Sequence, residues 1–525
     1  MKTRKKYYDK KAIIITVILL IIAALTHLYR LSNLPRGLHV DEAGMAYDAW
    51  SLANFGVDRY LNSYPVYLIN YGGGQSALYA YLAALCIKIF GYSAFAIRLP
   101  AFIFSCITII SGVFIVKKAA AYENNKDLPV IMTALFIVMP YFVMSSRFGL
   151  DCNLMLGTST LAICLILYAA GNRSILFYLL AGIASGLVLY TYAISYIVLP
   201  VFLIFVLILA LLFRRIDIKN AIAFIVPLAV LGIPLVLVQY VNANGLEAMH
   251  IGKITIPALT FYRATEFHAP TADSFKEAVK AIFMYDWLDY NSVEQFGTIY
   301  YISIPFAVIG LAASVIKIPQ CFKERRIYSE SLIVIWFLIE LVIGSMLGGD
   351  GPNANRLNGI FFTVLFFTAY GISTVLGLFQ KELRKYMAVI VIIVYGICTI
   401  MFAKYYFIDN ADHQYYLFQE ELDEAVSFVQ ESDELNYKMI YFVHNNQPYV
   451  PPYIFYLLAT KESPYDYNIS STGTSSYANY VFDAPEEINP DGVYIVYEGN
   501  DEYVTQLQEA GLSNVAAFNG ACVIY

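Results

Sequence analysis

About eleven apolar runs, each roughly 17 to 23 residues long and so able to cross about 30 Å of hydrocarbon as a helix, recur along most of this chain. The first is AIIITVILLIIAALTHLY, after the basic MKTRKKYYDKK. The others lie near Ala94 to Val116, Leu128 to Ser145, Asn153 to Ala170, Ile175 to Tyr192, Tyr196 to Phe213, Ala221 to Tyr240, Ile299 to Ile316, Ser331 to Leu347, Leu357 to Phe379 and Met387 to Ala403. With 59% hydrophobic and 14% charged residues among 525, the pattern excludes a soluble enzyme and predicts a polytopic membrane protein. The opening run is longer than a signal peptide core and its flank THLYRL lacks a small-residue cleavage pattern, so it reads as an uncleaved span. Six of the seven cysteines fall in or beside apolar segments and Cys522 stands alone in the polar tail. No disulfide framework is readable.

One segment decides the topology. Gln75 to Phe90, QSALYAYLAALCIKIF, is apolar but only about 16 residues, roughly 24 Å as a helix, and carries Lys88 near its end. If it lies along the interface, Lys117, Lys118, Arg173, Arg214, Arg215, Lys323, Arg325, Arg326, Lys381, Arg384 and Lys385 share the side of the N-terminal basic cluster. If it crosses, all of them oppose that cluster. The excess of Lys and Arg on cytoplasmic loops favours the interfacial helix, a cytoplasmic N-terminus and an outside C-terminus.

That arrangement predicts a membrane domain over residues 1–404 with two large outside loops, 31–93 and 241–298. A tail, 405–525, reads as a small α/β domain. Its strand-like runs KMIYFV (438–443), GVYIVY (492–497) and ACVIY (521–525) alternate with helix-like FQEELDEAVSFVQ and DEYVTQLQEAG. The fold class is therefore mainly α, with about 11 transmembrane helices, interfacial helices in the first outside loop, and this C-terminal domain.

The first outside loop contains LHVDEAGMAYDAW, with adjacent carboxylates Asp41 and Glu42 opening an amphipathic stretch. One reading makes Asp41 the N-cap of that helix, with Glu42 favoured by the positive end of its dipole. The other makes a carboxylate at the outer surface a general base for a substrate whose tail sits in lipid. Both hold together, because a helix start fixes the carboxylate's direction.

VDEAGMAYDAWSLANFGVDR, SYPVYLINYGGGQSALYAYLAALCIKIFG and SAFAIRLPA follow the order found in GT-C membrane glycosyltransferases. The chain resembles in particular the protein O-mannosyltransferase and aminoarabinose-transferase group. SRFGLDCNLML (145–155) resembles that group's second outside loop, and DGPNANRLNGIFF (350–362) a late loop with a basic residue. The resemblance runs over residues 12 to 370 and is not convincing in the tail. It implies transfer of a sugar from a polyprenyl-phosphate carrier to a glycan, lipid or protein acceptor on the outer face, with the bilayer as a further partner and no nucleic acid. Asp41 matches the acidic residue proposed as base, with Glu42 its neighbour.

Departing polyprenyl phosphate needs cationic donors. Arg147 and Arg356, each at an expected outer span end, supply a fork that matches phosphate, against the alternative of snorkelling to headgroups. Asp151, close to Arg147, is a third catalytic candidate that orients an arginine, binds a metal or acts on the sugar. The chain departs from aminoarabinose transferases where these carry a lysine before paired prolines. It reads YGGGQSALY, with Gln75 and no proline, which puts that sugar in doubt. GGG at 72–74 reads as a flexible turn. The sequence assigns no cofactor, and the candidate metal site is a divalent ion on Asp41 or Glu42. The rival class is a flippase or transporter, for which Glu340 in IWFLIELVIG is the suspect residue. A glycopolymer polymerase or ligase would use the same lipid-linked donors.

Overall fold

The computed structural model describes residues 10–123, 127–260, 267–349, 351–411, 418–444, 451–470 and 475–525. Lys2, Arg4, Lys5 and Lys6 of the N-terminal cluster lie outside the described residues. The chain opens with α1 (Lys10–Leu28), then α2 (Val40–Phe55), the hairpin β1 (Tyr67–Asn70) and β2 (Gly73–Ser76), and α3 (Ala77–Phe90). A bundle follows: α4 (Ala94–Glu123), α5 (Leu128–Val138), α6 (Pro140–Ser145), α7 (Cys152–Asn172), α8 (Ile175–Leu189), α9 (Ser195–Leu212) and α10 (Ile218–Ala243). The second loop holds the hairpin β3 (Met249–Ile251) and β4 (Ile254–Ile256), then α11 (Ala272–Phe283). The bundle closes with α12 (Ser303–Ile316), α13 (Ile318–Glu324), α14 (Ser329–Gly344), α15 (Phe361–Gly377) and α16 (Lys381–Lys404).

Every apolar run is thus helical, as hydrocarbon requires of a chain that must satisfy its own backbone. Among the described residues, eight helices are long and apolar enough to cross a membrane, and the protein is a multi-pass membrane protein. Three of the eleven expected spans are not among these eight. The run from Leu128 breaks at Met139, whose extended backbone (φ −71°, ψ 131°) precedes Pro140, the conformation a following proline enforces. α8 has 15 residues and α14 has 16. α12 and α15 cross so closely that a Cβ on Gly310 or Gly371 would collide with the carbonyl of Phe367 or Phe306.

Contacts sort the two ends of the bundle. Arg98, near the start of α4, donates to the carbonyls of Leu31 (3.4 Å) and Pro35 (2.7 Å), just past α1. The first loop therefore leaves and returns at one end, and the 14-residue α3 adds no net crossing. At the other end Arg173 donates to the carbonyl of Arg214 (2.6 Å), Arg215 to that of Arg325 (2.9 Å), and Arg384 pairs with Asp127 (3.2 Å). The basic residues sorted together in the sequence converge there.

The tail forms a six-stranded sheet ordered β6 (Ser476–Tyr477), β7 (Tyr480–Val481), β5 (Ile440–Val443), β8 (Val493–Tyr497), β10 (Ala521–Ile524), β9 (Val515–Phe518). β5 runs parallel to both neighbours and the other pairs are antiparallel. The three expected strands and both expected helices are present, as Glu420–Glu431 and Asp501–Glu509. Helices Tyr453–Thr460 and Pro464–Ser470 and the strands β6, β7 and β9 are additional. Leu422, Val426, Ile454 and Leu457 share one core with Ala43, Ala46, Ala80 and Ala83 of α2 and α3. The small alanine faces of these two helices let the tail pack directly onto the first loop.

Candidate active site

α2 starts at Val40, and its N-cap is His39 rather than Asp41. The imidazole Nδ1 accepts from the Asp41 N–H (3.2 Å), and the Glu42 carboxylate accepts from the His39 N–H (3.3 Å). The cap side chain takes up the Asp41 N–H and the third-residue carboxylate takes up the cap's own N–H, much as in a capping box with His in place of Ser or Thr. Expecting Asp at the cap places the helix start two residues late. Asp41 is released from capping and belongs to the first turn.

The adjacent carboxylates then diverge. Glu42 is fully buried, paired with Arg98 through Nε (3.0 Å) and Nη2 (3.2 Å), and beside the His39 N–H it also accepts from the Gly149 N–H (2.7 Å). A Cβ on Gly149 would stand 3.1 Å from its Oε1, so glycine lets the loop before α7 approach this closely. Asp41 instead keeps 43% of its side chain exposed. Its Oδ1 accepts from Asn70 Nδ2 (2.8 Å) at the end of β1, and its Oδ2 lies 3.9 Å from His39 Nδ1.

Asp151 faces the same space from the start of α7. Its Oδ1 accepts from the Cys152 N–H (2.9 Å) and its Oδ2 from the Ser76 N–H (3.0 Å), stitching the β2–α3 junction to α7. Burial, with a smaller contribution from the Asp41 charge, pushes its carboxyl up to about 7. Tyr290 closes another side, its ring 5.0 Å from that of His39. Asn355 donates to the Tyr290 hydroxyl (2.9 Å) and accepts from Asn291 (2.9 Å), while Asp286 accepts from the Ala354 N–H (3.0 Å). The late loop carrying Arg356 is thereby tied to the face bearing Asp41.

The two candidate arginines are placed differently. Arg147 is fully buried and donates to the carbonyls of Leu34 (3.2 Å), His27 (3.1 Å) and Tyr29, gripping the end of α1. Arg356 lies in the late loop, 9% exposed, with Nη1 donating to the carbonyls of Gly348 (2.6 Å) and Gly351 (3.2 Å). In GGG only Gly72 is a turn residue, at φ +84°. Gly73 and Gly74 pair with Asn70 and Ile69 across the hairpin, and the Tyr67 ring leaves Gly74 no room for a Cβ. Glu340 accepts from Trp336 Nε1 (2.5 Å), and its carboxylate lies against Gly359 in the turn that starts α15, where a helix N-terminus favours negative charge. Among the described residues no group of three or more His, Cys, Asp or Glu is placed to hold a metal ion.

Residues 75–240 match the family model described as dolichyl-phosphate-mannose-protein mannosyltransferase. The whole architecture is similar to crystallised ArnT from Cupriavidus metallidurans bound to undecaprenyl phosphate, with a TM-score of 0.54, 12% identity and 97% of each chain covered. This chain has the GT-C fold. The archaeal oligosaccharyltransferase AglB from Archaeoglobus fulgidus, in complex with an inhibitory peptide and a dolichol-phosphate, matches at a TM-score of 0.52 and 12% identity, over 87% of this chain and 64% of that one. No curated protein matches in sequence. The GT-C likeness extends past residue 370 into the tail, further than the motifs show.

Sequence reasoning on the GT-C motifs missed the partners that organise this face: His39 as cap, Asn70, Arg98, Tyr290 and Asn355. Arg98 and Asn70 stand inside quoted motifs, in SAFAIRLPA and SYPVYLINYGGG. The one available signal for Arg98 was a cation among apolar residues, which needs a buried counter-charge. Nothing in the sequence paired it with Glu42, 56 residues earlier.

Proposed function

We propose that the protein transfers a sugar from a polyprenyl-phosphate-linked donor to a hydroxyl on a glycan, lipid or protein acceptor at the outer face of a cell membrane. Asp41 is the base. The observation that carries this is the contrast among three carboxylates: Glu42 is closed onto Arg98, Asp151 is 7% exposed behind two backbone donors, and Asp41 alone of the three is open and oriented. As the acceptor oxygen attacks the anomeric carbon, Asp41 takes its proton and the carbon–phosphate oxygen bond breaks. Polyprenyl phosphate leaves as an anion, and Arg356, on the loop tied to Tyr290, is proposed to hold it. Glu42 and Arg147 set the frame, one locking α2 to α4 and the other locking α1 to the loop before α7. The similarity to proteins crystallised with undecaprenyl phosphate and dolichol-phosphate supports the choice of donor class.

The converging basic residues support a cytoplasmic N-terminus and an outside tail. Labelling from outside intact cells should modify Tyr437→Cys and spare Lys385→Cys in a background lacking Cys106, Cys398 and Cys522. The reverse pattern refutes the orientation. For the activity, purified protein incubated with labelled polyprenyl-phosphate sugars should release polyprenyl phosphate when acceptor is present. Solute uptake without donor cleavage would replace this reading with a transporter.

A further inference from the structure

Asp41 is held by a chain of side chains that runs inward from it. Asn70 Nδ2 donates to Asp41 Oδ1 (2.8 Å), Arg59 Nη2 donates to Asn70 Oδ1 (2.7 Å), and the same Nη2 lies 3.0 Å from Asp48 Oδ2. Asp48 also accepts from the Arg59 N–H (2.9 Å). Each link has only one possible polarity. A guanidinium has no acceptor and a carboxylate no donor, so the amide between them must turn its oxygen to Arg59 and its nitrogen to Asp41. An unanchored Asn could flip; this one is fixed by the cation behind it.

The far end is anchored on three sides. Asp48 is fully buried and Arg59 is 3% exposed, so the pair is shielded from the solvent that weakens exposed pairs. Gly44 makes the room, since a Cβ there would stand 2.7 Å from Arg59 Nη2 and 2.8 Å from Asn70 Oδ1. The Tyr71 ring faces the guanidinium at 5.1 Å, and Asn468 of the tail donates to the Arg59 carbonyl (2.7 Å). The tail thereby touches the residue that fixes the amide.

Resting on the reading of Asp41 as base, we infer that Arg59 and Asn70 are positioning residues for the transfer step. They aim the Asp41 carboxylate, with Asp48 and the tail's Asn468 holding Arg59 in place. Buried Arg59 is barred from substrate and acts through Asn70. The consequence is a specific kinetic signature: loss of aim lowers turnover and leaves donor binding alone.

The test is a double-mutant cycle on the full-length protein with a polyprenyl-phosphate sugar as donor. Asn70→Ala should lower kcat about 5- to 30-fold with donor KM within about 2-fold and Tm close to parental. Arg59→Lys, which keeps the charge against Asp48 but not the fork, should show a smaller loss of the same type. In the weakly active Asp41→Glu background, whose carboxylate is displaced by one methylene, Asn70→Ala should cost less than about 2-fold. Parental kcat in Asn70→Ala, or equal fold-losses in both backgrounds, overturns the inference while leaving the base assignment standing. Parental activity in Asp41→Asn instead removes the base assignment itself, and the inference with it.

Discussion

At one end of the bundle Arg384 meets Asp127 at 3.2 Å with side chains 36% and 63% exposed; at the other, Arg98 meets Glu42 at 3.0 Å with neither exposed at all. The chemistry is the same and its consequence is not. The exposed end carries the kind of charge that sorts by membrane side, where number matters more than geometry. The buried end carries charge that fixes shape, because each buried ion demands its partner. At that second end Asp41 is the exception left open.

The comparison breaks most visibly at Arg98. Arg98→Ala strands Glu42 and frees the carbonyls of Leu31, Pro35 and Gly37, which should cost about 3–5 kcal/mol and appear as a large fall in Tm or in folded yield. A variant folding at the parental Tm would show that this pair is not structural. Next is Arg356: if it holds the donor phosphate, Arg356→Ala loses about 1.5–3 kcal/mol, roughly 10- to 150-fold in donor use, with partial rescue by Lys. Unchanged donor kinetics would leave the phosphate site elsewhere.

A third effect depends on pH. Asp151 ionises at about 7 in the folded protein because burial disfavours its charge, against about 3.9 in an unfolded chain. Between those values the folded state binds the extra proton, so this group's contribution weakens stability as pH rises through the window. Asp151→Asn lacks it. The stability of Asp151→Asn relative to parental should rise from pH 5 to pH 8, by about 2–3 kcal/mol. A constant difference would contradict the burial argument. The smallest effect is at the exposed end, where Arg384→Ala should change stability by no more than about 0.5 kcal/mol. A loss as large as that of Arg98→Ala would erase the distinction between the ends.

Eight of the eleven expected spans were legible in the sequence because a roughly 30 Å solvent imposes a length on every crossing helix, and the basic end was legible because charge sorting needs no contact map. It showed α2 as an amphipathic stretch but misplaced its cap, since His39 is a rarer cap than Asp and only its bond to the Asp41 N–H reveals it. Asp41, Glu42 and Asp151 were each legible as acids. Their differing exposure was not, because it depends on Arg98, Gly149 and Ser76, which lie far away in the chain. The glycine run shows the same limit: residues 72–74 look alike as letters, and the Tyr67 ring distinguishes the turn from the close contact.

The central claim is that Asp41 is open because it is the base. Asp41→Asn, assayed with a polyprenyl-phosphate sugar and an acceptor, separates chemistry from structure. Asn preserves an acceptor for the Asn70 amide, so stability should stay within about 1 kcal/mol of parental and donor binding should persist. Turnover should fall by about 100-fold or more. Sugar transfer by Asp41→Asn at close to the parental rate would contradict the account and move the search for a base to Asp151.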